Sequence, residues 1–122
     1  MTAIVRYLVD DVDAAVAFYV DRLGFTLTQR MRPAFAMVTR PGLTLWLAGP
    51  QSSAARPMPD GRHPAPGGWN RFVIEVDDIE AKVKELQAEH VRFRNEIVTG
   101  PGGKQILIED PAGNVVELFQ PA

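Results

Sequence analysis

An α+β fold made of two consecutive βαβββ modules is predicted by three features of the sequence. A tetrapeptide, Val9-Asp10-Asp11-Val12, returns as Val76-Asp77-Asp78-Ile79 at an offset of 67 residues. Each copy is followed by apolar residues at helical spacing, and each helix is followed by three strand-like runs. Residues 4–9 open the first module as a strand. The helix after it carries Val12, Val16, Tyr19, Val20 and Leu23 at steps of three and four, so one face is apolar. Asp10 followed by Asp13 is read as an N-cap acceptor with an acidic third residue, and Gly24 as the stop. Residues 25–30, 35–40 and 43–48 are the three strands, with Pro41-Gly42 as a tight connection.

Residues 49–68 contain Pro50, Pro57, Pro59, Pro64 and Pro66 together with four glycines. Such a segment supports neither a regular helix nor an interior strand. It divides the chain into a first module (1–48), a linker or lid (49–68) and a second module (69–122). In the second module, residues 71–76 alternate apolar Phe72, Ile74 and Val76 with Arg71, Val73 and Glu75, the pattern of a half-buried strand. Ile79, Val83 and Leu86 mark the apolar face of its helix, Asp77 followed by Glu80 repeats the capping pattern, and His90 stands at the turn after it. Strands follow at 91–98, 104–110 and 114–119. Gly42 to Leu47 and Gly113 to Leu118 correspond at an offset of 71.

Composition narrows the function. The chain has 122 residues, 46% hydrophobic and 23% charged, enough for one modest core and too few for a separate catalytic domain. The net charge of −2 and scattered Lys and Arg offer no docking patch for nucleic acid or an acidic membrane. Without cysteine there is no disulfide, thiolate metal site or thiol nucleophile. Residues 1–7 lack the basic-then-apolar pattern of a secretory signal, and no apolar run reaches membrane-spanning length, so a cytoplasmic location is expected. No glycine-rich phosphate loop opens a helix, and the two histidines, His63 and His90, lie away from the strands that carry a site, which excludes a nucleophilic triad.

The module order, the helix start from Asp11 to Tyr19 (Asp-Val-Asp-Ala-Ala-Val-Ala-Phe-Tyr), Leu23-Gly24-Phe25, and the ending Asp110-Pro111-Ala112-Gly113-Asn114-Val115-Val116-Glu117-Leu118 together resemble the vicinal oxygen chelate superfamily. This superfamily includes glyoxalase I, extradiol dioxygenases, fosfomycin resistance enzymes and bleomycin-binding proteins. The resemblance spans the whole chain except the linker. It implies curled mixed sheets forming a concave cavity, completed by a second copy in a homodimer. It also implies, for metal-dependent members, one ligand on the first strand and one on the last strand of each module, typically His or Gln and then Glu. The repeat offsets place these positions at Ile4, Arg71, Trp46 and Glu117. Only Glu117 is of ligand type. A guanidinium cannot deprotonate, and its charge about 4 Å from a divalent ion would cost roughly 8 kcal/mol at an effective dielectric of about 20. No metal and no other cofactor is therefore expected.

In place of a metal, Trp46 offers a broad aromatic surface for a planar ligand. Strand alternation puts Arg6, Leu8, Thr44 and Ala48 on the same face as Ile4 and Trp46, with Phe35 and Met37 joining from the neighbouring strand. The candidate ligand-binding residues are thus Arg6, Phe35, Met37, Trp46, Trp69, Arg71 and Glu117. Each has a structural alternative: Trp46, Phe35 and Met37 as closed core, Arg71 with Glu117 as an ion pair in the space a metal would take, and Arg6 at a subunit interface. The function these residues and the resemblance imply is sequestration of an antibiotic-like planar molecule by a homodimeric resistance protein. The alternatives are a metal-independent lyase or isomerase using Glu117 as general base, and a dimer with a filled core and no ligand.

Overall fold

The structure, a computed structural model, describes residues 2–122. The chain forms two compact units that meet in sequence at Gly67 and Gly68.

The first unit runs β1 (Ala3–Leu8), α1 (Val12–Ala17), a π turn (Phe18–Arg22), β2 (Thr26–Met31), β3 (Phe35–Arg40) and β4 (Leu43–Ala48). Its sheet has the order β1-β4-β3-β2, with β1 parallel to β4 and the other pairs antiparallel. The β3–β4 hairpin closes through Gly42 at φ +79°, a conformation only glycine takes without strain. Leu45, Leu47, Ala36 and Val38 are fully buried on one face of this sheet, and Val12, Ala15, Val16 and Tyr19 are buried on the helix. Burying a Val or Leu side chain contributes about 1.5–3 kcal/mol, so this layer carries most of the unit's stability. Tyr19 packs edge-to-face against Phe18 and Phe25 at centroid distances of 5.0 and 5.4 Å.

The helix caps lie one residue later than the sequence suggested. Asp11, not Asp10, is extended (φ −135°) and accepts from the Ala14 amide at 3.1 Å; Asp78, not Asp77, accepts from Ala81 at 3.0 Å. Only the residue directly before the first helical one has a side chain that reaches the third free amide. Asp13 and Glu80 therefore occupy the second helical position, still in the first turn, where a negative charge complements the dipole. Gly24, at φ +73°, follows the π turn, and Arg40 donates to the Leu23 carbonyl at 2.6 Å.

The second unit contains β5 (Phe72–Glu75), α2 (Ile79–Ala88), β6 (Arg92–Phe93), β7 (Val98–Gly100), β8 (Gly103–Glu109) and β9 (Val115–Pro121). Its strand order is β5-β9-β8-β6, β7 also pairing with β8, and β5 is parallel to β9. The core joins Ile79, Val83 and Leu86 to Ile74, Ile106, Ile108, Val116 and Leu118. His90 turns the chain at φ +61°. The strand expected over 91–98 is instead broken into β6 and β7. Arg94 N–H still reaches the Leu107 carbonyl, but the Leu107 amide donates to the Asn95 side chain at 2.9 Å, so a side-chain acceptor replaces the ladder there. Asp110 is fully buried and accepts from the Asn114 amide, the Ala112 amide and the Asn114 side chain at 2.8–3.1 Å. This loop, with Gly113 at φ +91°, is the physical content of the Asp-Pro-Ala-Gly-Asn sequence.

Among the described residues no helix is long and apolar enough to cross a membrane.

Candidate functional site

Cross-strand pairs share a face, so register assembles the open face of the first sheet row by row. The middle row is Gln29–Met37–Trp46–Arg6. One flanking row is Met31–Phe35–Ala48–Leu8, and the other is Thr26–Thr39–Thr44–Ile4. The opposite face holds the fully buried Leu45, Leu47, Ala36 and Val38. Arg6, Phe35, Met37 and Trp46 are thereby brought together as the alternation indicated. Polarity is graded across the face: sulfur, aromatic and aliphatic side chains at one end, threonines at the other.

Trp46 is half-buried, with one neighbour on either side. Phe35 meets it edge-to-face at 5.9 Å between centroids, and the Arg6 guanidinium carbon lies 4.8 Å from the indole centroid. These contacts fix the ring without sealing it, whereas a core tryptophan would be closed on every side. Ile4, at the edge of the sheet, is 56% exposed.

The linker lies near the ends of β1 and β4. It forms a short 3-10 turn at Ser53–Ala55, and the Ser52 hydroxyl donates to the Gly49 carbonyl at 2.7 Å. A cavity of about 380 Å³ lies between this segment and the ends of β1 and β4, walled by Gly49, Pro50, His63, Pro64 and Pro66 and including Leu8. Leu8 is the one residue of the three rows that lines it, and Asp10 and His63 are its ionisable wall residues.

The second unit presents a different face. Its rows are Val73–Glu117–Leu107 and Glu75–Phe119–Gln105, with Val115, Glu109 and Arg92 aligned beyond them. The repeat is preserved in register: Arg6 pairs with Trp46 as Val73 pairs with Glu117. Here the charges satisfy one another. Arg71 places Nε and a terminal nitrogen 3.0 Å from the same carboxylate oxygen, Oε1 of Glu117. Glu117 is only 8% exposed. Arg94 donates to Glu109 at 2.7 Å and to the carbonyls of Gly68 and Gly113, while Arg92 lies 3.6 Å from Glu109. Trp69, 67% exposed, rests on the Arg94 guanidinium at 4.5 Å.

The positions that the resemblance assigns to metal ligands do not fit a divalent ion. Ile4 and Trp46 supply no lone pair, and the lone carboxylate, Glu117, is engaged by the one positive side chain of the set. Among the described residues no group of three or more His, Asp or Glu side chains gathers.

Sequence reasoning missed Gln29, Met31 and Thr39 on the first face and the Arg94–Glu109–Trp69 cluster on the second. A register shift between Leu27 and Gln29 hides the alternation of β2. The cluster was within reach, since Arg92 and Arg94 are two apart in a strand-like run.

The sequence pattern of the Glyoxalase/Bleomycin resistance protein/Dioxygenase superfamily matches residues 3–118. A lactoylglutathione lyase from Agrobacterium tumefaciens superposes with TM-score 0.77 at 27% identity, covering 98% of this chain and 92% of that one. An antibiotic-binding protein from a Streptomyces species, TnmS3, superposes with TM-score 0.75 at 26% identity, covering 100% and 96%. A superfamily member from Sphaerobacter thermophilus gives TM-score 0.77 at 28% identity, covering 98% and 96%. No curated protein gives a significant match.

Proposed function

Because the chain belongs to the Glyoxalase/Bleomycin resistance protein/Dioxygenase superfamily, a scaffold that hosts catalysis and plain binding alike, we propose that it is a binding protein. It sequesters a planar, aromatic, antibiotic-like molecule without metal catalysis. The observation that carries this reading is the Trp46 face: a half-buried indole held by Phe35 and Arg6 and bordered by Met37 and Met31, with a cavity of about 380 Å³ at the end of β1 beside Leu8. Ligand pockets have this make-up, mostly apolar with a few polar anchors and a volume of several hundred Å³. The linker acts as the wall of the site. The antibiotic-binding protein at 26% identity supports the same reading.

A homodimer completes the proposal. The edge strands β1 and β5 expose Ile4 and Val73, at 56% and 50%, and open apolar edges favour a partner. Light scattering at tens of micromolar protein should give the dimer mass; a monodisperse monomer contradicts it.

Trp46 fluorescence tests the binding. In the Trp69→Phe background, planar aromatic compounds should quench it saturably, and Trp46→Ala should weaken binding at least about tenfold, from lost stacking and lost apolar contact. A folded Trp46→Ala variant that binds as tightly as the parent refutes the reading.

One observation favours a second reading. The similar lactoylglutathione lyase, and the Oε2 of Glu117 with no hydrogen-bond partner among the described residues, fit a metal-independent lyase or isomerase with Glu117 as general base. Turnover of lactoylglutathione in metal-free buffer, abolished by Glu117→Gln, would support it over sequestration.

A further inference from the structure

The charges on the two sheet faces are balanced differently. On the second face every arginine has a carboxylate: Arg71 has Glu117, and Arg92 and Arg94 share Glu109. On the first face Arg6 is the one charged side chain in the three rows, and no Asp or Glu among the described residues lies within ion-pair distance of it. Its N–H groups have no protein acceptor among the described residues; its one contact of this kind is with the Trp46 ring. A guanidinium keeps its charge at any physiological pH and carries five donors in a planar fork suited to two oxygens. Held over the indole, it keeps that fork available to a ligand.

From this we infer that the molecule held on the Trp46 face is an aromatic acid, a planar ring system bearing a carboxylate or comparable oxyanion, and that Arg6 sets this specificity. The inference rests on the binding reading above and adds the ligand's charge and orientation. The distances fix where the acid sits. Arg6 lies over the indole, 4.8 Å from its centre, so an aromatic ring must pack beside the guanidinium against the part of Trp46 that Arg6 and Phe35 leave open, and an acid group attached directly to that ring then meets the fork. The rest of the ring system lies on the apolar side of the face, against Phe35 and Met37. A cationic or neutral ligand of the same shape would leave the fork unpaired or repel it. Hydrogen bonds to charged groups are worth enough to give tenfold to about a hundredfold preference for the acid at low salt. Because Arg6 is exposed, that preference should shrink as salt rises.

Calorimetric titration of the full-length protein with matched probes tests this: 2-naphthoate and 2-anthroate, each beside its primary amide and its aminomethyl analogue. The acids should bind at least about tenfold more tightly than the amides at low ionic strength, and the aminomethyl compounds most weakly. Arg6→Gln should bring acid and amide within about twofold of each other, and Arg6→Lys should keep part of the preference. Arg6 is exposed, so neither change threatens the fold, and unaltered melting confirms this. If the amides bind, quench Trp46 and match the acids, or if Arg6→Gln keeps the preference, the inference falls and the binding reading stands. If no probe binds at all, the binding reading fails and takes the inference with it.

Discussion

Removing Arg71 should cost far more than removing Arg71 and Glu117 together. In the parent, both donor nitrogens of Arg71 point to Oε1 of Glu117, at 3.0 Å each, and the Glu117 side chain is 11% exposed against 30% for Arg71. Arg71→Met deletes both donors and leaves a carboxylate on β9 between Val73 and Leu107 with no compensating group. Breaking a buried pair on one side typically costs about 3–5 kcal/mol. The partial exposure of Arg71 screens the interaction, and Oε2 of Glu117 retains access to solvent, since it is not among the buried atoms lacking partners. The expected loss is therefore about 2 kcal/mol. Glu117→Leu leaves a guanidinium that can turn towards water while keeping its 3.3 Å bond to the Trp69 carbonyl, and the new side chain gains apolar contact with Leu107. That variant, and the double variant Arg71→Met with Glu117→Leu, should each stay within about 1 kcal/mol of the parent. Urea denaturation followed by circular dichroism at neutral pH gives the four free energies of the cycle, and a loss of about 2 kcal/mol corresponds to a melting shift of about 8 °C in a chain of this size. An Arg71→Met variant within about 0.5 kcal/mol of the parent, or a double variant as unstable as that single one, refutes the claim that Arg71 and Glu117 form a structural ion pair.

Three further outcomes follow from the structure. Zinc, nickel, manganese or iron should not raise the melting temperature, although a metal at 100 times its dissociation constant would add about 2.7 kcal/mol; a clear rise abolished by replacing Glu117 would overturn the reading of that position. Asp11→Ala should cost about 1 kcal/mol in urea denaturation because it removes the acceptor for the Ala14 amide, whereas Asp10→Ala should stay within about 0.5 kcal/mol; equal costs would contradict the observed cap. The Lys104 ammonium, 2.6 Å from Glu80, holds the Glu80 carboxyl below the usual carboxylate range. A depressed folded value means that the unfolded chain binds more protons, so this contribution is present above the ordinary carboxylate pKa of about 4.3 and is lost as pH falls through the folded value. It is small and salt-screened at an exposed site; Lys104→Gln should flatten the acid limb of the urea midpoint against pH, and an unchanged limb at low salt would refute it.

Most of the architecture was legible because it rests on patterns that local chemistry enforces. Residues 35–40 and 43–48 are strand-like runs on either side of a Pro-Gly turn, and the observed β3 and β4 coincide with them. The repeat offsets carried more, since they located Trp46 and Glu117 before any geometry was known, and the registers of β1 with β4 and β5 with β9 preserve that correspondence. What escaped depends on non-local bonds. Nothing in residues 91–98 announces that Asn95 will intercept the Leu107 amide and split the strand, because the acceptor and donor are twelve residues apart. The capping error has a simpler origin. Two adjacent aspartates both suit the role, and only backbone conformation selects between them.

The two faces show how differently the repeat fills its equivalent positions. A metal site spread over both modules ties their equivalent strand positions to one coordination requirement; without it, each position answers only to its own neighbours. At the last-strand position one module has Trp46 and the other Glu117; at the preceding first-strand position they have Ile4 and Arg71. The second module resolves its charges internally, so its face has nothing unsatisfied to offer a charged ligand beyond what Arg71, Arg92 and Arg94 already hold. The first keeps a half-buried indole and a cation with no carboxylate beside it among the described residues. Leaving a guanidinium without a carboxylate costs little while it is hydrated, and that hydration is given up only when an acceptor of the right shape arrives. On the binding reading proposed above, an acidic ligand therefore finds its open partner on the first module's face and not on the second's.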